Sequence, residues 1–157
     1  MTITENETLE MKNVLSFRGK VTQQAFAAKS QEIELILKAA GAEKTAPVVT
    51  TTFAVEQGAV GPVMDVEILI PLDKEIQAPA GYTFKHRFLL TNAVVMHHVG
   101  HPSKLQDSVN ALNAYMQTNQ LVPITSGYNV TVKEAKTPLE LDQMEVDVYV
   151  GISPNLL

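Results

Sequence analysis

Residues 64–71 read MDVEILIP and residues 144–151 read MEVDVYVG. Both run Met, acid, Val, acid, aliphatic, bulky, aliphatic. Successive side chains of a strand point to opposite faces, so each segment has one wholly apolar face. Met64, Val66, Ile68 and Ile70 form it in the first copy, and Met144, Val146, Val148 and Val150 form it in the second. The opposite faces carry Asp65, Glu67 and Leu69, then Glu145, Asp147 and Tyr149. An apolar face has to be covered by another element. Each segment is therefore expected to close a unit by packing under a helix, with its acids turned away from that helix.

Working outward, each copy follows an apolar segment that ends in Gly, NVLSFRG at Gly19 and AVVMHHVG at Gly100. Gly19 precedes Met64 by almost the distance that separates Gly100 from Met144, which predicts an internal repeat of one supersecondary unit. Phe26, Ile33, Leu37 and Ala40 fall on one helical stripe and predict a helix over 22–40, stopped by Gly41. Leu105, Val109, Leu112 and Met116 predict a second over 104–118, with Ser103 and Gln106 as a capping box. Strands are expected over 10–18, 48–55, 63–70, 82–89, 93–99, 127–133 and 144–150, each rich in β-formers and bounded by Gly, Pro or Asn. Thr91-Asn92 reads as a hairpin turn and Pro79-Ala80-Gly81 as the joint between halves. The expected fold is α+β: a tandem β-α-β-β repeat with pseudo-twofold symmetry. Its sheet is mostly antiparallel, with two helices on one face. One domain should span 1–157, with half-repeats about 11–71 and 82–152 and residues 1–9 as a tail.

At 157 residues, 45% hydrophobic and 18% charged, the chain can bury a core without staples. It has no cysteine, which excludes disulfides and thiolate metal sites. A net charge of −5 with scattered Lys and Arg argues against nucleic acid as a partner. The polar start MTITENETLEMKN does not read as a signal peptide, and no apolar run is long enough to span a bilayer. A cytoplasmic protein without membrane partner is expected, as a monomer or homodimer.

Three of the four histidines, His97, His98 and His101, crowd the end of the 93–99 strand. Strand alternation sends His97 and His98 to opposite faces, so they should not share an ion, and no HExxH spacing is present. No metal and no cofactor are expected. The first half carries Ser16 and Phe17 where His97 and His98 stand, which marks the cluster as architecture. No glycine-rich phosphate loop and no GxSxG elbow occurs.

The second half resembles the GyrI-like family, the gyrase-inhibitory-protein-like domains that also serve as effector-binding domains of multidrug-responsive regulators. The resemblance lies in His98-Val99-Gly100 at the strand end, the helix soon after, and the closing alternation Asp147-Val148-Tyr149-Val150. It implies two β-α-β-β halves enclosing a groove for amphipathic or cationic small molecules. It also implies a carboxylate and a Tyr on the strand after the second helix, where GYNVT supplies Asn129 and Thr131 instead.

The expected function is a stand-alone small-molecule-binding module for an apolar or cationic ligand, without catalysis. The candidate ligand-binding residues are Asp65, Glu67, Tyr82, Phe84, His98, Tyr128, Glu145, Asp147 and Tyr149. Carboxylates beside an aromatic ring suit an organic cation, although alternating acids also suit a merely solvated sheet face. Two alternatives stand beside this reading. One is a protein-interaction module with a filled groove. The other is a hydrolase in which Glu145 or Asp147 activates water.

Overall fold

The computed structural model describes residues 1–155. The elements run β1 (Thr2–Thr22), α1 (Gln23–Ala40), β2 (Val49–Gly58), β3 (Gly61–Pro71), β4 (Tyr82–Val99), α2 (Leu105–Thr118), β5 (Tyr128–Lys133) and β6 (Glu145–Gly151). Short 3-10 turns at Pro102–Lys104 and Pro138–Gln143 precede α2 and β6. The class is α+β with antiparallel strand pairing. The chain forms two compact units, Met11–Phe88 and Met1–Glu10 with everything from Leu89 onward.

In the Met11–Phe88 unit, β3 pairs with β1 on one side and β2 on the other. Helix α1 begins at Thr22, whose hydroxyl accepts from the Ala25 amide at 3.1 Å. It ends at Gly41, at φ 65°, where Gly41 and Ala42 amides return to the Lys38 and Leu37 carbonyls. Its Ile33 and Leu37 pack with Leu15, Ile68, Ile70 and Leu72. The apolar face of MDVEILIP thus lies under the helix as its alternation requires, and Val66 is buried beside it.

In the other unit β6 pairs with β4 and β5. Leu112 and Met116 of α2 pack with Val94, Met96, Val146, Val148, Val150 and Ile152. Helix α2 ends in the same motif as α1: Gln120 and Leu121 amides return to Gln117 and Met116, and Gln120 takes φ 56° where α1 has a glycine. The expected Ser103–Gln106 box does not form. His101 caps the preceding 3-10 turn instead, its Nδ1 accepting from the Ser103 amide at 3.1 Å.

Three expectations are corrected. Thr91-Asn92 is no hairpin: β4 runs through it unbroken, and Asn92 takes φ 53° within the strand. Its carbonyl accepts from Ile152 N at 3.0 Å and its Nδ2 donates to Ile152 O at 2.9 Å, so the left-handed residue serves a cross-strand bond rather than a reversal. Asn13 does the same in β1, at φ 53° with its carbonyl accepting from Leu72 N. Second, residues 1–9 are no tail. Strand β1 starts at Thr2, and Ile3 packs against the α2 core. Third, Pro79-Ala80-Gly81 makes a turn, with Tyr82 N bonded to Pro79 O, but the two units divide within β4 after Phe88.

Candidate functional site

Each unit turns a polar face away from its own helix, and β3 and β6 are the centre of those faces. In the Met11–Phe88 unit the strand register sets Ser16 opposite Leu69, Arg18 opposite Glu67, and Thr51 opposite Glu67 from the other side. Directly opposed residues of an antiparallel pair share a face. This face is not solvated throughout: Thr51 and Leu69 are 0% exposed, Ser16 3% and Glu67 9%. The Glu67 carboxylate accepts at Oε2 from Ser16 Oγ and from Lys85 Nζ, both at 2.7 Å. Asp65 receives a two-pronged bond from Arg18 at 3.0 and 3.1 Å, and that guanidinium holds the carboxyl below its usual range. The Arg18 guanidinium also lies 3.8 Å over the Phe53 ring. Both acids of MDVE are therefore matched by fixed cations.

The unit built on β6 differs at the equivalent contact. His97 stands opposite Asp147, where Arg18 stands opposite Glu67. Its Nδ1 lies 2.5 Å from Asp147 Oδ1 and its Nε2 3.2 Å from Glu145 Oε1. Asp147 first, and then Glu145, raise the pKa of His97 above the ordinary histidine value against the opposing pull of burial. Tyr149 follows on the same face with Tyr128 directly opposite it on β5. Burial pushes the Tyr149 hydroxyl pKa upward, and the charges of Asp147 and Glu7 add to it. Two carboxylates, two tyrosines and one titratable cation thus share this face.

The remaining candidates go elsewhere. Tyr82 lies on the α1 side, 5.7 Å from the Phe17 ring, with its hydroxyl donating to Glu32 at 2.8 Å. Phe84 meets His86 edge-on at 5.2 Å. His98 turns under α2, where Nδ1 bonds Ser108 Oγ at 2.8 Å and Nε2 faces the His101 carbonyl at 3.4 Å. It belongs to the helix seat, and the structure separates it from the acids. Asn129 and Thr131 lie opposite Val148 and Val146, on the α2 side, so they do not join the acidic face. Strand register sets Arg18 and Gly19 opposite Glu67 and Val66, and His97 and His98 opposite Asp147 and Val146.

From the sequence, His97 and Ser16 count as architecture and Thr51 and Lys85 have no role. His97 could have been found from its alternation with His98, since a strand pairing β4 with β6 puts one of the two on the acids' face. Thr51 and Lys85 carry no such signal, because their strands offer several polar residues of equal standing.

No family model matches this chain, and no curated protein matches its sequence. Solved structures share its fold. The crystal structure of the EcmrR C-terminal domain superposes with a TM-score of 0.77 at 16% identity, covering 98% of this chain and 99% of that one. EcmrR in its DNA complex gives 0.76 at 17% identity over 96% of this chain, which spans 57% of that longer chain. SAV2435 bound to tetraphenylphosphonium gives 0.54 at 12% identity, covering 98% of this chain and 93% of that one. A hydrolase from Listeria innocua gives 0.56 at 15% identity, covering 95% and 93%. Identities this low establish a shared fold. Among the described residues, no helix is long and apolar enough to cross a membrane.

Proposed function

We propose that this chain is a small-molecule-binding module of the GyrI-like kind. It takes a hydrophobic cation against Glu145, Asp147, Tyr149 and Tyr128, and it performs no chemistry. The two units act as copies of one β-α-β-β element, of which the β6 copy carries the ligand. The observation that carries it is the difference in counter-charge. Asp65 and Glu67 are matched by Arg18 and Lys85, whereas Glu145 and Asp147 are matched by His97, which loses its charge above its pKa. A discharged imidazole leaves two carboxylates beside two tyrosine rings, a setting that attracts an organic cation. The tetraphenylphosphonium bound to SAV2435, which has the same fold, supports the ligand class.

A hydrolase is disfavoured by the same geometry. Glu145 and Asp147, the carboxylates that would activate water, are both engaged by the ring nitrogens of His97. Ser108 does meet an imidazole, but that is His98, buried under α2 at 4% exposure.

Isothermal titration with tetraphenylphosphonium and with tetraphenylborate, the anion of nearly the same shape, tests the reading. The phosphonium should bind more tightly. Asp147→Asn should weaken it about fivefold, the worth of one charge contact in a partly solvated site. Asp73→Asn, in an exposed loop, should leave it unchanged. Equal effects of the two substitutions, or tighter binding of the borate, would overturn the proposal.

The pH dependence has a definite sign. His97 has a raised folded-state pKa, so its ion pairs stabilise the fold fully below the unfolded value of 6.5. That stability is lost as pH rises through the folded pKa. Cation binding runs the other way, because the imidazolium competes for Asp147. Phosphonium affinity should therefore rise between pH 5.5 and 8.5, about fivefold by the same charge argument. His97→Gln should flatten both profiles, and an unaltered profile in that variant would assign the pH effect to other groups.

A further inference from the structure

Helix α1 carries one large apolar side chain that the core does not use. Ile33 and Leu37 are buried, whereas Leu35 is 69% exposed. Leu35 lines a cavity of about 810 Å³ within the Met11–Phe88 unit, between the outer side of α1 and the segment 42–44. That volume falls in the upper part of the ~300–1,000 Å³ range of small-molecule sites. Buried Leu37 and Ala42 line it as well. The wall opposite the helix is fixed by hydrogen bonds. Ala42 N donates to Leu37 O, Asp73 N to Glu43 O and Thr45 N to Pro71 O, each at 3.0 Å. The Glu43 amide donates to Asp73 Oδ1 at 3.0 Å. An ion pair between Glu34 and Lys44, at 2.8 Å, ties the helix to that wall. The hollow is thus formed before anything enters it.

Four charged residues line the cavity, and they divide into two kinds. Glu34 and Lys44 satisfy one another, whereas Lys38 and Glu43 have no ion-pair partner among the described residues. The cavity therefore offers an apolar surface, one unmatched cation and one unmatched anion. We propose that it binds a short apolar peptide with both termini free. The peptide's carboxylate meets Lys38, its ammonium meets Glu43, and its side chains cover Leu35, Leu37 and Ala42. A ligand of a single sign matches one of the two charges and is repelled by the other, so the site selects a zwitterion. A second copy of the chain fits less well. A two-fold contact would set the same hollow against itself, and two concave surfaces leave a void between them. The site stands apart from the β6 face in residues and in chemistry, since its ligand carries no net charge. It also gives a role to Leu35, a leucine that contributes nothing to the core.

The test is calorimetric titration of the full chain at pH 7 with phenylalanyl-leucine, its N-acetyl derivative and its C-terminal amide. The three share one apolar body and carry both charges, the negative alone and the positive alone. The free dipeptide should bind about fivefold more tightly than either blocked form, the worth of one charge contact at a partly solvated rim. Lys38→Met should bring the dipeptide down to the affinity of its amide, and Glu43→Gln to that of its acetyl form. Leu35→Ala should weaken all three about fivefold through lost apolar contact while leaving the unfolding temperature unchanged, which separates ligand contact from folding. Tetraphenylphosphonium binding should not respond to Leu35→Ala, which keeps this site and the β6 face separately readable. Equal binding of the dipeptide and either blocked form would overturn the proposal. So would a Leu35→Ala variant that binds the dipeptide as the parent does. Self-association of the parent that Leu35→Ala abolishes, without dipeptide binding, would overturn it in favour of a second copy of the chain.

Discussion

Leu69→Ala should cost about 3 kcal/mol of folding stability and lower the thermal midpoint by about 6–12 °C, the range for a buried leucine in a chain of this size. Leu69 lies on the face of β3 turned away from α1, between Asp65, Glu67 and Pro71 along the chain and opposite Ser16 and Val49 across it. On a solvated outer face its truncation would be nearly silent. It is instead entirely out of water. Truncation removes the transfer energy of the lost carbons and leaves a cavity whose walls, Ser16, Val49 and Thr51 among them, are fixed by strand pairing and cannot collapse inward. Leu35 of α1 is 69% exposed and is the matched control, with Leu35→Ala expected within about 0.5 kcal/mol of the parent. Urea unfolding of the two variants decides the matter. A cost below about 1 kcal/mol at Leu69 would mean that the polar face of β3 is open to solvent after all.

His98→Ala should be the second large effect, at about 2–3 kcal/mol. The imidazole is 4% exposed beneath α2 and joins that helix to the end of β4. Nε2 faces a carbonyl, which only accepts, so Nε2 donates to His101 and Nδ1 receives the Ser108 hydroxyl. Alanine deletes both bonds, leaves the Ser108 hydroxyl without its acceptor, and opens a ring-sized gap beneath the first turns of the helix. His101→Ala loses the cap of a short 3-10 turn and a contact with the Ser103 hydroxyl at a half-exposed position, and should cost about 1 kcal/mol. The order His98 above His101 is the checkable statement, and denaturant midpoints of the two variants measure it. A reversal would remove His98 from the helix seat and return it to the candidate ligand residues.

Much of each unit was legible because its information is local. The helix over 22–40 was readable from its stripe and from Gly41, since a glycine at a helix end announces its positive φ. The end of α2 was less so, because Gln120 takes the same left-handed conformation without the residue that advertises it. Thr91-Asn92 was read as a hairpin turn, whereas Asn92 takes its left-handed conformation inside an unbroken strand. A strand can absorb one such residue when a partner across the ladder donates to its backbone carbonyl, and that partner, Ile152, lies far away in sequence.

The faces of β3 and β6 were readable for the same reason as the helices. Alternation is a property of the chain itself, and Ile68, Ile70, Val146, Val148 and Val150 had to go beneath a helix once their period was two. Which charges meet which was not readable. Asp65 and Glu67 look like Glu145 and Asp147 in the sequence, yet the first pair faces Arg18 and Lys85 and the second faces His97. That difference is set by register, which places residues dozens of positions apart in direct opposition and shifts every partner if it slips by one. The sequence by itself determined the periods, the end of α1 and the side of the strand on which the acids lie. Tertiary structure alone decided that Thr51, Ser16, Glu67 and Leu69 are dry, because burial depends on what the rest of the chain lays over a face, and no residue carries that in its own identity.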